Sequence, residues 1–389
     1  MTPIYLDHNA TTPVAPEVRD AMLPCLGDLF GNPSSGHEAG RRARHAVEVA
    51  RGQVADLLGA AAQDVVFTSG GTEANHLALL GVIRARGPAR AHVVTSAIEH
   101  PSVLQPLWGL AREGVEVTTV PPRPDGTVDP DAVTAALRPD TVLVSLMHAN
   151  NELGTLQPVA EVAAAARRRG VLVHTDAAQS AGKVPLDVTE LGVDLLSLAG
   201  HKLYAPKGIG ALWVRPGTPL APLFHGGGQE RGLRPGTEPV PGIVALGAAC
   251  ALVARRLPTE GPRLRALRDR LEAQLAARAG DVHVNGQGAP RLPTTSNVSF
   301  IGLEGALVLA AAPEVMASTG SACHSGGEPS HVLRAIGATP ETIRGAVRLS
   351  LGHGTGEGDV ERAVTALAAA ARRLRGHGAP AEGAPRMAG

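Results

Sequence analysis

The sequence predicts an α/β protein in two parts. A large domain over residues 13–255 carries a mainly parallel sheet between helices; a smaller α+β domain takes residues 1–12 and 256–375. Three observations predict this. Short runs rich in valine and leucine alternate with helical patterns through the first two thirds of the chain. Polar clusters stand where those runs end. Past Arg255 the alternation gives way to a long amphipathic helix and two further strands.

In chain order, "RRARHAVEVARGQVADLLG" (Arg41–Gly59) reads as an amphipathic helix stopped by glycine. "DVVFTSGGTEANHLALLGVIRARG" reads as a strand, a glycine turn and a helix opening near Thr72. "HVVTS", "VEVTTV", "TVLVSLMHAN", "VLVHTDAA" and "DLLSLAG" are short apolar runs, with helices such as "VAEVAAAARRRG" between them. Runs of this kind suit strands buried on both faces of a parallel sheet. In the last third, "PRLRALRDRLEAQLAARAG" is the long helix, and "TSNVSFIGL" and "GAVRLSLG" are strands. The Gly/Pro/Ala-rich end, residues 376–389, is expected to be disordered.

Composition bounds the function. The 389 residues are 44% hydrophobic and 19% charged with zero formal net charge, which argues against a nucleic-acid-binding surface. Aromatics are 2%, so the core rests on Leu, Val, Ile and Ala. No uninterrupted apolar run approaches ~18 residues, so no membrane span is expected. The N-terminus has no basic and apolar leader pattern. The three cysteines, Cys25, Cys250 and Cys323, are widely spaced and odd in number. A reducing, cytoplasmic setting is expected, and neither disulfides nor a metal site. Cys25 and Cys250 sit in apolar contexts and read as structural.

The lysines point to chemistry. Lys183, Lys202 and Lys207 are the only three in the chain, so arginine supplies nearly all the positive charge. Lys202 lies in "AGHK", at the end of an apolar strand. A chain that uses arginine elsewhere keeps lysine where a primary amine is needed, and imine formation with an aldehyde is such a task. "SGGTE" (Ser69–Glu73) joins a strand to a helix whose N-terminus suits a phosphate, although a plain turn capped by Thr72 would look the same. "HTDAAQ" puts Asp176 just past a buried strand, where it can pair with a cationic nitrogen; His174 reads as a packed neighbour. Amine, carboxylate and anion cradle are the parts that pyridoxal phosphate needs. Cys323 lies in the Gly/Ser loop "STGSACHSGGEPS", a setting for an exposed, reactive thiol. "HGGG" resembles an esterase oxyanion loop, but no G-x-S-x-G elbow accompanies it, and dinucleotide and P-loop motifs are also absent.

Together these segments resemble the cysteine desulfurases of the class V aminotransferase group. The resemblance runs through "YLDHNATTPV", "GNPSSGHEAG", "FTSGGTEANHLAL", "HANNELGTLQPV", "VHTDAAQSAGKVPLDV", "GHKLYAPKGIGAL", "HGGGQERGLRPGTE", "GSACHSG" and "VRLSLG". "GSAC" is similar to the housekeeping and nitrogen-fixation branch. Selenocysteine lyase is a close relative that often carries "ACHS"; a non-catalytic scaffold of the same fold is the other alternative, and the intact Lys202, Asp176 and Cys323 argue against it.

The resemblance implies a fold type I homodimer with its sites at the subunit interface. It implies that Lys202 binds pyridoxal 5'-phosphate covalently, that Asp176 pairs with the ring nitrogen, and that Gln179 bonds the ring hydroxyl. His100 is to stack on the ring and assist proton transfer. Gly71, Thr72 and His201 are to hold the phosphate, with Thr237 from the second subunit. Asn151, also beside the cofactor, and Arg348 are to receive the carboxylate of L-cysteine. Cys323 is to take sulfur as a persulfide and pass it to an acceptor protein, leaving L-alanine. Ala199 stands where many relatives have serine, which implies one phosphate hydrogen bond fewer. The Cys323 loop is also slightly shorter than in the housekeeping enzymes.

Overall fold

The computed structural model describes residues 3–87, 91–319 and 329–377; Cys323 and the segment from 378 onward lie outside the described residues. The chain opens with a two-residue strand, β1 (Ile4–Tyr5). Then come β2 (Val65–Thr68), β3 (His92–Ser96), β4 (Glu116–Val120), β5 (Thr141–Ser145), β6 (Leu172–Asp176), β7 (Leu195–Ala199) and β8 (Gly210–Val214). The last third adds β9 (Val282–Val284), β10 (Thr295–Phe300), β11 (Val315–Met316) and β12 (Ala346–Ser350).

The strands β2 to β8 form one sheet in the order β2-β8-β7-β6-β5-β3-β4. All neighbouring pairs are parallel except those of β8, which runs antiparallel to both β2 and β7. Alternate side chains serve opposite faces. Phe67, Val94, Val144, Leu196 and Trp213 enter one buried cluster. Val66, Val93, Leu143, Leu195 and Leu212 enter another on the far face, with the helix Gly71–Arg86. This double burial explains why the strands read as continuous apolar runs and not as alternating ones.

A third cluster joins Ile4 and Leu6 to Leu264, Leu271, Phe300, Val347 and Leu367. It covers an antiparallel sheet of order β12-β10-β9. β1 pairs with β11, Ile4 opposite Val315, so the start of the chain is built into this C-terminal unit.

One finding departs from the sequence reading. The helix expected after Arg255 begins earlier and runs unbroken from Val240 to Arg278, with Pro258 and Pro262 inside it. Its first half, including Ile243, Leu246 and Leu252, is buried against the large sheet's helices. From Leu264 onward it is buried in the C-terminal cluster. The prolines fall where the helix leaves one core and has not entered the other, so the 255/256 division lies inside one continuous element. By length and composition this helix could cross a bilayer; half of its apolar window is instead packed inside the protein. The last helix, Glu357–His377, also runs slightly past the expected end of order at Gly376.

Candidate active site

The carboxyl ends of the parallel strands open on one crevice, with about 730 Å³ of space. Gly71 and Thr72 follow β2, His100 follows β3, and Asn151 follows β5. Asp176 ends β6 with Gln179 just beyond, and His201 and Lys202 follow β7; all of these line the crevice. Sequence-predicted residues from five separate segments therefore meet. Thr237 is exposed on the loop before the long helix and does not line the crevice of its own chain.

Asp176 is buried. Its Oδ1 accepts from the Ala178 N–H at 2.9 Å and its Oδ2 from Asn75 Nδ2 at 2.8 Å. Asn75 also donates to Ser102 Oγ at 2.8 Å, and that hydroxyl lies 2.7 Å from His100 Nδ1. The Ser102 N–H donates to the same Nδ1 at 3.1 Å, so a neutral His100 ring carries its proton on Nε2. One network thus ties the carboxylate to the histidine across the crevice. Asn75 and Ser102 escape sequence reasoning; the only trace is their place inside "GGTEAN" and "EHPS".

Beneath His100, Glu99 is completely buried. It accepts from Ser96 Oγ at 2.5 Å and from the Met147 N–H at 3.0 Å. Burial pushes its carboxyl up to about 8. His174 is a packed residue, 2.9 Å from Ser145 Oγ on one side and from Ser197 Oγ on the other. Burial lowers it to about 4.

Lys202 sits in the turn Gly200–Lys202, and its Nζ donates to the Asn9 carbonyl. His201 is lowered to about 4, first by burial and then by Lys202 and Lys207. At the rim, Arg348 on β12 is buried; it pairs with Asp7 at 2.9 Å and donates to the Asn151 carbonyl at 3.1 Å. Cys25 and Cys250 are both buried; burial pushes the Cys250 thiol up to about 12.

The exposed Thr237 ends a loop with a strained start. Glu230 and Arg231 take left-handed φ values of 46° and 59°. Glu230 is held by a bidentate pair with Arg51, both contacts 2.8 Å, and by the Phe67 N–H at 2.8 Å. Arg234 is tied to Glu73 at 3.0 Å.

Three observations fit pyridoxal phosphate to this crevice. Asn151 Oδ1 and Arg348 Nε are buried without a hydrogen-bond partner, ready for a polar ligand. The helix Gly71–Arg86 begins at Gly70 with no side-chain cap, so its end amides face the space. A Cβ on Gly71 would come within 3.1 Å of Ala199 Cβ, so the two residues pack closely where both line the crevice.

Solved structures share the architecture. A NifS-like protein superposes with a TM-score of 0.88 at 34% identity, covering 96% of this chain and 100% of that one. SspA in complex with cysteine gives 0.80 at 40% identity, over 89% of this chain and 98% of that one. Fold and site define the class: pyridoxal-phosphate enzymes of fold type I. The family model for aminotransferase class V matches residues 4–363. The cysteine desulfurase IscS of Dictyoglomus turgidum is 45% identical over 96% of this chain and 95% of its own length. That of Anaeromyxobacter dehalogenans is 46% identical over 96% and 93%. The chain belongs to the aminotransferase class V family and, within it, to the cysteine desulfurases.

Proposed function

We propose that this enzyme converts L-cysteine to L-alanine in the cytoplasm as a homodimer, with pyridoxal phosphate on Lys202 and sulfur collected by Cys323. The observation that carries the reading is the meeting of Lys202, Asp176 and the uncapped helix start at Gly71 in one strand-end crevice. Family membership supports it.

Bound pyridoxal phosphate supplies an electron sink for the bond changes at the substrate's Cα. Asp176, oriented by Asn75 and the Ala178 N–H, holds a proton on the ring nitrogen. Gly71, Thr72 and His201 receive the phosphate, with Thr237 of a second copy. His100, its orientation fixed through Ser102, would lie against the ring. Gln179 Nε2, which gives one hydrogen to the Asn9 carbonyl, would give its other to the ring hydroxyl. Asn151 and Arg348 receive the substrate carboxylate, Arg348 through its unpartnered Nε and Asn151 through its side-chain NH2. Lys202 Nζ takes the Cα proton once the substrate is bound. The Cys323 thiolate then attacks the substrate sulfur: the Cβ–S bond breaks, an S–S bond forms, and the carbon skeleton leaves as alanine. L-cysteine and the thiol become L-alanine and a persulfide, so no further reagent is required. An acceptor protein takes the persulfide sulfur.

Two measurements test this. Borohydride reduction and peptide mapping should find the pyridoxyl group on Lys202, not on Lys183 or Lys207. Cys323→Ala should keep the yellow colour and lose alanine formation from cysteine. Turnover of cysteine at the wild-type rate by that variant defeats the persulfide step. Selenocysteine, whose selenium leaves carbon more easily, should still be turned over by it.

A further inference from the structure

Lys183 is half-buried and takes no part in the chemistry above, yet it stands next to it. Its Nζ donates to Asn9 Oδ1 at 3.1 Å and to Gln179 Oε1 at 3.0 Å, and among the described residues no carboxylate accepts from it. On the other side of Asn9, the main-chain carbonyl accepts from Lys202 Nζ and from Gln179 Nε2, the latter at 3.0 Å. Asn9 is itself fixed. Its N–H donates to Ser350 Oγ at 2.9 Å, and its Nδ2 to Thr295 Oγ1 at 2.9 Å and the Asn151 carbonyl at 3.2 Å.

The charged and titratable groups around Lys183 are few. Lys202, Arg348 and His8 face it from the site. Arg256, Glu260 and His353 stand across the adjoining cavity. Arg265 and Asp269 line the groove on the other side. Of the two acids, Glu260 is already held by Arg263 at 2.8 Å and by His353 at 2.9 Å, and Asp269 by Arg268 at 2.5 Å. Burial, then Lys202 and Arg348, holds the Lys183 amine well below the usual lysine range. Two amide oxygens are placed to accept from the amine.

We propose that Lys183 is a positioning residue: its side-chain amine fixes the amides of Gln179 and Asn9, and through them the seat of Lys202. The amine gives the Gln179 amide a single orientation, Oε1 toward Lys183 and Nε2 toward the Asn9 carbonyl. Burial, Lys202 and Arg348 all lower its pKa, so a second full charge beside Lys202 is disfavoured. The inference rests on the reading that Lys202 carries the cofactor, and borohydride mapping of the wild type tests that reading separately.

With three lysines in the chain, the experiment can be direct. Wild-type holoprotein labelled with carbon-13 at the lysine side chains gives one signal per lysine, assigned with Lys207→Arg and Lys183→Met. Lys183 should titrate below the ordinary lysine range in these spectra; a Lys183 that titrates at or above that range overturns the proposal, and this holds even if Lys183→Met does not fold. In folded Lys183→Met, the two amide oxygens lose their donor. Affinity for pyridoxal phosphate should fall about tenfold. The pH midpoint of the bound cofactor's absorbance should also move, while the melting temperature of the apoprotein changes little. Lys183→Arg should bind the cofactor more weakly still. Adding Lys183→Met to Gln179→Leu should cost less than it does alone, because the two act through one contact. Wild-type affinity and an unmoved midpoint in Lys183→Met would reduce Lys183 to a structural residue.

Discussion

On the floor of the crevice, Asp176, Gln179 and Lys202 follow the ends of the adjacent strands β6 and β7. At the rim, Asn151 follows β5 of the large sheet, while Arg348 comes from β12 of the C-terminal sheet, 197 positions later, and Asp7 from the start of the chain. The floor belongs to one rigid sheet. The rim exists only where separate parts of the chain meet. Substrate capture is thus entrusted to a junction, whereas the cofactor-facing side chains stem from a single packed layer, with the Lys202 amine reaching Asn9 outside it.

Lys202→Ala strikes the floor and should have the largest effect. It removes the imine partner and the Cα base together, so turnover should fall by about 10³-fold or more, and borohydride should label no lysine. Arg348→Ala strikes the rim. It removes charged hydrogen bonds to the substrate, so kcat/KM should fall about a hundredfold, chiefly through KM, with cofactor retention unchanged. A fall in cofactor retention equal to the fall in kcat/KM would erase the distinction between floor and rim. Asn75→Ala loosens the floor without touching substrate. It leaves Asp176 with one donor fewer, and a loss of about tenfold in kcat is expected with KM steady.

Glu99→Gln should have the smallest effect on rate. The native Glu99 holds its proton more tightly than the unfolded chain does, because burial raises the folded value to about 8. Its contribution to stability is therefore full below the ordinary carboxyl value and is lost as pH rises through about 8. The amide has no proton to lose. Melting temperatures followed from pH 5 to 9 should decline less in the variant than in the wild type, with turnover at pH 7 nearly equal. Parallel curves would mean that Glu99 is ionised in the folded protein.

The same contrast decides what the sequence makes legible. "AGHK" and "HTDAAQ" are read directly, because each places its polar residues at the end of an apolar run, and strand ends converge by the geometry of a parallel sheet. Asn75 and Ser102 lie within helices, and Asn9 lies in a loop. Their partners, Asp176 and Lys202 among them, are distant in sequence, so nothing local marks them. The helix Val240–Arg278 is obscured for a different reason. Pro258 and Pro262 are ordinary stop signals, but here packing at both ends of the helix outweighs the local break. Ala199 is visible in the sequence, yet its closeness to Gly71 becomes apparent only when β7 and the turn after β2 are brought side by side.

The pairing of Ile4 with Val315 has a consequence for how the protein comes into being. The strand Ile4–Tyr5 is made long before Val315–Met316 and must wait for that neighbour. Asp7 and Asn9, carried on the same segment, wait for Arg348 and Ser350. The parallel sheet can assemble while synthesis continues, but a nascent chain has no seat for Lys202 and no substrate rim until its final helix is being made. The rim and the seat of Lys202 are therefore late products of folding, completed before a second copy can add its Thr237.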